Sequence, residues 1–420
     1  MAQRGIREYD AKRILFEQLP LYTKAFKSDK PKLALVTPDT DPKELVKTHP
    51  WLEEEKLVVK PDQLFGKRGK HKLLCLNANW KDAWDWTYER MNQEVTVGET
   101  KGTLTHFLIE PFFKHAEDDE WFVAIRSERE RDIIYFSTKG GIYVEENWDQ
   151  VVQIPVSILE PVEKVDFESH LKNLGNRKDN VISFLMGLHK MYANAGFSYL
   201  EINPFTFWGD DIVPLDMVAK LDDTAQFECS QIWGKIDFPA SFGTSHAPEE
   251  EFIKGLDEKS GSSLKLTILN PKGRIWSMVA GGGASVIYAD TVCDIGFSKE
   301  LANYGEYSGN PTTEETYQYA KTVLDLMTRE KDPKGKFLLI GGGIANFTDV
   351  AKTFTGIIQA LNEFKDKLIE HKVKIYVRRG GPNYQEGLQK IRKLGETLGV
   401  PIEVYGPETH MTKIVSMALK

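Results

Sequence analysis

Two stretches in the last third of the chain share one plan. Arg274 to Ala280 (RIWSMVA) is an apolar run that ends in Gly281-Gly282-Gly283, and Lys336 to Ile340 (KFLLI) is another that ends in Gly341-Gly342-Gly343. An apolar strand running into a glycine turn and then a helix is half of a β-α-β unit, so the pattern points to a parallel sheet with helices packed on it. The second stretch shows its helix plainly: Val350, Phe354, Ile357, Ile358 and Leu361 fall at i, i+4, i+7, i+8 and i+11, one face of a helix. Asn346 stands where its N-cap is expected. Such a helix start has free amides and a positive dipole end, which favour phosphate or carboxylate. A plain tight turn needs the same glycines.

The alternation continues on both sides. Helical Glu314 to Arg329 precedes the KFLLI strand; strand Val373 to Arg379, Gly380-Gly381-Pro382, a helix from Tyr384, strand Ile402 to Tyr405 and a last helix from Thr409 follow the central stretch. Asn270-Pro271-Lys272-Gly273 reads as a hairpin leading into the first triplet. The expected fold here is a doubly wound parallel sheet, whose ligands sit beyond the carboxyl ends of the strands. Both triplets, Asn346, Thr348 and Arg379 fall there. Arg379 suits a carboxylate held bidentately, although a surface ion pair would use it equally. His410 opens the last helix on the same edge and reads as a structural histidine before a catalytic one.

The front half has another texture. Residues 6 to 19 read as a helix, and Lys56 to Pro61 as a strand carrying Lys60. A basic loop, Phe65 to Lys72 (FGKRGKHK), and a second strand, Leu73 to Asn77, come next. Lys67, Arg68 and Lys70 suit either a solvated tip or a flap over phosphates. His106–Phe113, Trp121–Ser127, Ile133–Ser137 and Ile142–Glu145 read as an antiparallel meander, with Pro111 confining the first strand to an edge or a bend. Residues 166 to 195 are expected to be helical. A two-residue Gly209-Asp210 loop would close a hairpin that sets Asn203 opposite Asp216, with Cβ atoms about 5 Å apart. One amide oxygen and one carboxylate so placed can share Mg²⁺; a polar pair on a solvated face would look the same. Trp233 to Ser263 is rich in Pro, Gly, Ser and acid, which suggests domains at 1–240 and 264–420 with a linker over 241–263.

Composition narrows the function. A chain of 420 residues implies two or three domains. A net charge of −8, with no long basic run, disfavours nucleic acid as a partner. Cys75, Cys229 and Cys293 lie far apart, as reduced thiols in a cytoplasmic protein would. The charged amino terminus lacks the apolar core of a signal peptide, and Ile275 to Ala289 is too short and glycine-rich to span a membrane. No GxxxxGK[ST] occurs and neither triplet completes GxGxxG, so a P-loop and a dinucleotide fold are both disfavoured. No serine-histidine-aspartate order or HExxH is visible.

The runs VVKPDQL, FLIEPF, YLEINP, LKLTILNPKGRIWSMVAGGGASV, ELANYGEYSG, GGGIANFT, VRRGGPNYQEGL and ETHMT closely resemble the ATP-citrate lyases over nearly the whole chain. The match is to the amino-terminal part of the single-chain enzymes, or the smaller subunit of the two-subunit form. That family is similar to succinyl-CoA synthetase. The resemblance implies an ATP-grasp domain followed by a flavodoxin-like, citrate-binding domain. It implies that Lys60, Arg68, Gly69, Pro111, Phe113 and Glu120 hold ATP, and that Asn203 and Asp216 hold Mg²⁺. It places a structural cation at Asp257, Ser260 and Ser262, and citrate at Gly309, Asn346, Thr348 and Arg379. The helix start Gly283, Ala284 and Ser285 joins the citrate set from the glycine pattern. Phe364 stands where relatives can show a tyrosine near citrate, and Lys67 replaces an arginine beside Arg68, keeping charge without bidentate geometry.

The family's chemistry phosphorylates a histidine from ATP, passes the phosphoryl group to citrate, forms citryl-CoA and cleaves it to acetyl-CoA and oxaloacetate. None of the nine histidines sits in the phosphohistidine setting, so no catalytic residue is expected on this chain. The expected partner is a larger subunit with the phosphohistidine, CoA-binding and cleavage modules, in a hetero-oligomer. Three other readings remain at this point: the small subunit of a citryl-CoA synthetase, a succinyl-CoA synthetase subunit, and a non-catalytic sensor of ATP and citrate.

Overall fold

The computed structural model describes residues 3–26, 31–141, 144, 147–172, 174–244, 247–344 and 347–420. The chain divides into two compact units, Met1–Ser245 and His246–Lys420.

The front unit is built on two sheets. The larger is seven-stranded and antiparallel, in the order Gln3–Ile6, Met217–Asp222, Phe197–Trp208, Trp121–Ser127, Arg131–Ser137, Val152–Ser157, with Asp211–Pro214 also paired to Phe197–Trp208. Helices Glu8–Gln18 and Lys178–Asn194 bury their apolar stripes in its core, through Ile14, Leu15, Phe184 and Leu188 against Val123, Ile125, Leu200 and Ile202. The smaller sheet runs Ala34–Val36, Phe107–Pro111, Leu57–Pro61, Cys75–Ala78. Its core of Val36, Leu57, Val59, Phe107 and Ile109 is closed by helix Trp80–Arg90, whose N-cap Asn79 accepts from the Asp82 amide.

The expected meander is therefore split. Phe107–Pro111 lies in the smaller sheet, paired on both sides, and Pro111 is its last residue, opposite Leu57. Phe107 to Glu110 are buried without alternation, the mark of an interior strand rather than an edge. The third strand of the meander is Val152–Ser157; Ile142, Tyr143 and Glu145 lie outside the described residues. The hairpin register is as the two-residue loop requires: Trp208 pairs with Asp211 and Ile202 with Met217, and the Asn203 amide donates to Asp216 O at 3.0 Å.

The rear unit centres on a four-stranded parallel sheet in the order Ile275–Ala280, Phe337–Gly342, Lys374–Arg378, Ile402–Tyr405. Helices Thr313–Met327, Val350–Glu363 and Tyr384–Leu398 share a core with one face, and Gly282–Val292 and Lys413–Leu419 with the other. Four expectations change. Asn270–Gly273 makes a turn but not a hairpin, because Ser263–Ile268 pairs with Asn303–Ser308 and leaves Ile275–Ala280 to the parallel sheet. Part of the stretch read as a linker is helix Pro248–Asp257, which sends Ile253 into the rear core. The last helix starts at Lys413, leaving His410 exposed in a turn with its Nδ1 3.0 Å from Thr412 Oγ1. The helix after the second triplet starts at Val350, capped by Asp349, whose side chain accepts from the Lys352 amide. Asn346 lies outside the described residues.

Candidate functional site

In the front unit a cavity of about 980 Å³ is lined by strands of the larger sheet, by the basic loop between Leu57–Pro61 and Cys75–Ala78, and by the loops before Trp121 and after Ser137. Of the residues singled out beforehand, Arg68, Gly69, Glu120, Asn203 and Asp216 form part of its wall, with Lys67 and Lys70 of the basic loop. Lys60, Pro111 and Phe113 do not. Phe113 instead packs edge-on against Trp208, at 6.2 Å between ring centres.

Lys60 lies behind the wall in a closed charge cluster. Its Nζ is 2.6 Å from Glu8 Oε1, 2.8 Å from Glu110 Oε1 and 2.7 Å from Leu215 O. Lys12, wholly buried, uses the same three acceptors, at 3.0, 2.9 and 3.0 Å. Arg68 donates to Pro61 O at 2.9 Å and to Glu8 Oε2 at 2.7 Å, and pairs with Asp216. Far from being a solvated tip, this arginine is buried. Burial alone would raise the Glu8 carboxyl, yet Lys12, Lys60 and Arg68 together hold it well below the usual carboxylate range. Asp62, the residue after strand Leu57–Pro61, accepts from the Glu8 and Tyr9 amides at 2.7 and 3.0 Å, so it caps helix Glu8–Gln18 from a distant part of the chain. Burial, with the Glu8 charge beside it, pushes Asp62 up to about 6.

The expected cation pair is present on the cavity wall, but each member already has a partner. Asn203 Oδ1 accepts from the Gly141 amide at 2.7 Å, and Asp216 is paired with Arg68. Arg177 also lines the cavity, its guanidinium 4.1 Å from the centre of the Phe207 ring.

In the rear unit the glycines do different work from the turn expected. Gly341 and Gly342 are the last residues of their strand. A Cβ on Gly341 would come within 2.6 Å of the Tyr288 hydroxyl, and one on Gly342 would collide with Arg379 Nη1. The glycines thus seat one bulky side chain on each face of the strand. Arg379 is 0% exposed, and none of its three guanidinium nitrogens has a hydrogen-bond partner among the described residues. Its neighbour Arg378 is fully engaged, donating to Gly342 O, Thr409 O and Pro407 O at 2.9, 2.8 and 3.2 Å. Asp349 ties together the loops that carry Asn310 and Asn383. Its amide donates to Asn310 Oδ1 at 3.3 Å, and its carboxylate accepts from Asn383 Nδ2 at 2.7 Å. The Asn310 bond brings together the loops of Gly309 and the buried Thr348.

The first triplet does start a helix. Gly281 is the N-cap of Gly282–Val292, and Ser285 Oγ donates back to Gly282 O at 3.2 Å. Gly283 and Ala284 lie in that first turn, whose amides have no acceptor within the helix. The Glu306 carboxylate already stands beside this start, 3.1 Å from where a Gly282 Cβ would lie, and accepts from Ser263 Oγ and Ser308 Oγ. Ser260 and Ser262 bond to each other, while Asp257 Oδ1 accepts from the Leu264 amide at 2.7 Å. Gly309 packs on Ser262, so two predicted sites are neighbours.

Sequence reasoning missed Glu8, Lys12, Asp62, Glu110 and Arg177. Glu8 and Lys12 carried a signal: they stand at i and i+4 on the stripe that Leu15 and Leu19 continue, and a charged pair on an apolar face needs buried partners.

Two folds define the class: an ATP-grasp domain followed by a parallel-sheet domain. Residues 2–233 match the family model described as the ATP-citrate synthase ATP-grasp domain, and residues 244–420 the one described as ATP citrate lyase citrate-binding. The chain belongs to the ATP-citrate synthase family, also called ATP citrate lyase. It is 50% identical to the ATP-citrate synthase alpha chain protein 2 of Oryza sativa subsp. japonica, over 100% of this chain and 99% of that one. It is 49% identical to ATP-citrate synthase of Bos taurus, again over all of this chain but only 38% of the longer protein. Among solved structures, ATP citrate lyase from Methanothrix soehngenii, in complex with citrate and coenzyme A, is 56% identical with a TM-score of 0.90, covering 100% of both chains. Among the described residues no helix is long and apolar enough to cross a membrane.

Proposed function

We propose that this chain is the ATP- and citrate-binding part of an ATP-citrate lyase, which turns ATP, citrate and CoA into ADP, phosphate, acetyl-CoA and oxaloacetate. The observation that carries the citrate half is Arg379, a fully buried guanidinium without a partner among the described residues at the carboxyl edge of a parallel sheet. An unpaired buried charge is costly, and a carboxylate relieves it through paired, charge-assisted bonds. Thr348, Gly309 and the first-turn amides at Gly283 and Ala284 supply short donors for the remaining oxygens, while Ser285, whose amide is already given to Gly281 O at 2.9 Å, has only its hydroxyl to offer. Asn346 is assigned to the same set by the resemblance alone.

In the front unit ATP occupies the large cavity, against Gly69 and Glu120, with Arg68 and Lys60 as its cations. Lys60 reaches phosphate only by exchanging its contacts with Glu8 and Glu110. Pro111 and Phe113 keep an ATP role through the resemblance alone. Asn203 and Asp216 would hold Mg²⁺. The donors fit, since an amide oxygen has a second lone pair beyond the Gly141 amide and a carboxylate has sites beyond Arg68. When bound, the ion neutralises charge on the phosphoryl group in transfer. Asp257, Ser260 and Ser262 offer a second set of hard oxygen donors. Catalysis by this chain is positioning and charge neutralisation. The phosphoryl acceptor is a histidine of a partner subunit, which also brings the CoA-binding and cleavage modules.

Two measurements test this. Titration calorimetry on the chain should give citrate binding at least about tenfold tighter than succinate, since only citrate offers carboxylates to the whole donor set; equal or tighter succinate binding rejects the citrate assignment. With γ-labelled ATP and the partner subunit, label should appear on the partner. Covalent label on this chain would overturn the division of labour, and release of citryl-CoA instead of acetyl-CoA would make the assembly a citryl-CoA synthetase.

A further inference from the structure

Besides Arg379, three polar atoms of the rear unit are buried without a partner among the described residues: the Tyr288 and Tyr307 hydroxyls and His371 Nδ1. Of the two phenols, Tyr288 belongs to the core on the opposite sheet face and Tyr307 to the core on the face of Gly342. Tyr307 is 0% exposed, on strand Asn303–Ser308, and its hydroxyl has no hydrogen-bond partner among the described residues. Its aromatic neighbour Tyr319, at 6.0 Å between ring centres, is satisfied through Lys265 O at 3.1 Å. The contrast matters, because a buried phenol normally finds a partner. Tyr307 lies in the core built on Leu338, Ile340 and Val377, and the next position on that face of the strand is Gly342, over which Arg379 Nη1 packs. Burial pushes the Tyr307 phenol above its ordinary pKa, and the Arg379 cation pulls it back. Tyr307 also lies two residues before Gly309. Two orphaned donors, one cationic and one neutral, thus share one buried face of the parallel sheet. A single carboxylate satisfies both, taking paired bonds from the guanidinium and a third from the hydroxyl.

We propose that Tyr307 is a substrate-binding residue, donating its hydroxyl to the carboxylate that Arg379 holds. The inference rests on the citrate reading above and adds a neutral donor to it. A phenol donates without adding charge, so it favours a carboxylate over phosphate no more by attraction than by fit. What it supplies is selectivity, since an acid that leaves this hydroxyl unmet pays for its desolvation.

The test is Tyr307→Phe in the full chain, beside Arg379→Ala, titrated with citrate and with tricarballylate, which has the three carboxylates but lacks the hydroxyl. Removing an unpaired buried hydroxyl leaves the shape intact, so the unliganded variant should melt with or above the parent. The expected result is about tenfold weaker binding of both acids to Tyr307→Phe, with a smaller citrate-induced rise in melting temperature. Binding lost in Arg379→Ala but unchanged in Tyr307→Phe overturns this proposal and leaves the citrate reading standing. Binding unchanged in both variants overturns both. A loss confined to citrate puts Tyr307 on the substrate hydroxyl and overturns the carboxylate assignment.

Discussion

Asp62 shows how one carboxylate can cap a helix and still cost stability at neutral pH. Its two bonds to the Glu8 and Tyr9 amides favour the charged form. Burial and the Glu8 charge outweigh them and lift its pKa to about 6. A carboxyl whose folded pKa exceeds its unfolded value binds its proton more tightly when folded, so its contribution is present at low pH and is lost as pH rises through about 6. The shift corresponds to roughly 3 kcal/mol between about pH 4 and pH 7. Asp62→Asn keeps an amide oxygen for the helix and cannot ionise. Its denaturant stability, minus that of the parent, should therefore grow across that range, and two parallel curves would show that Asp62 does not titrate there. Sequence gave Lys60 and Arg68 away through a strand and a basic loop. It hid Glu110 and Asp62, because their partners are 98 and 54 residues distant and no local pattern records a long-range ion pair.

At the level of elements, periodicity located most strands and helices, and loop length set the Asn203–Asp216 register. At the second triplet the failure has a plain cause: glycine was taken as punctuation. In Gly341-Gly342 it is spacing, removing two side chains so that Tyr288 and Arg379 can pack on the strand. The strand therefore runs on to Gly342 and the helix is capped three residues later than Asn346, at Asp349. Gly342→Ala tests this. Its Cβ would strike Arg379 Nη1 and sit 3.0 Å from Ala280 O, so the guanidinium must move. The expected cost is about 1–3 kcal/mol in stability, together with weakened citrate binding. Gly343→Ala, with nothing within 4 Å of the new Cβ, should do neither. Equal behaviour of the two variants would show that the glycine serves the turn.

Across the molecule, chain length and the change of texture near residue 240 made a two-part protein legible, while the acidic, Pro-rich stretch concealed helix Pro248–Asp257. Its Glu250 side chain closes the helix start by accepting from the Ala247 amide, and also accepts from the Ile268 amide of the rear unit. Ile253 lies in the rear core. These contacts assign the helix to the second unit. Each unit also owns its cores: the clusters around Val123 and Phe107 draw only on residues before 245, and those around Trp276 and Tyr288 only on residues after 250. A domain of about 170 residues buries roughly 70% of its unfolded surface, enough to fold alone. A fragment beginning at Ala247 should then unfold cooperatively and bind citrate with an affinity within about threefold of the full chain, because Arg379, Thr348, Tyr307 and the loops knotted at Asp349 all lie within it. The same fragment begun at Ser263 lacks the helix and exposes Leu264, Leu266 and the buried side of Tyr319's partner strand. It should be destabilised by several kcal/mol. If both fragments fold and bind alike, the helix is the linker that its composition suggested; if the full chain binds citrate and neither fragment does, the rear unit alone does not suffice for binding.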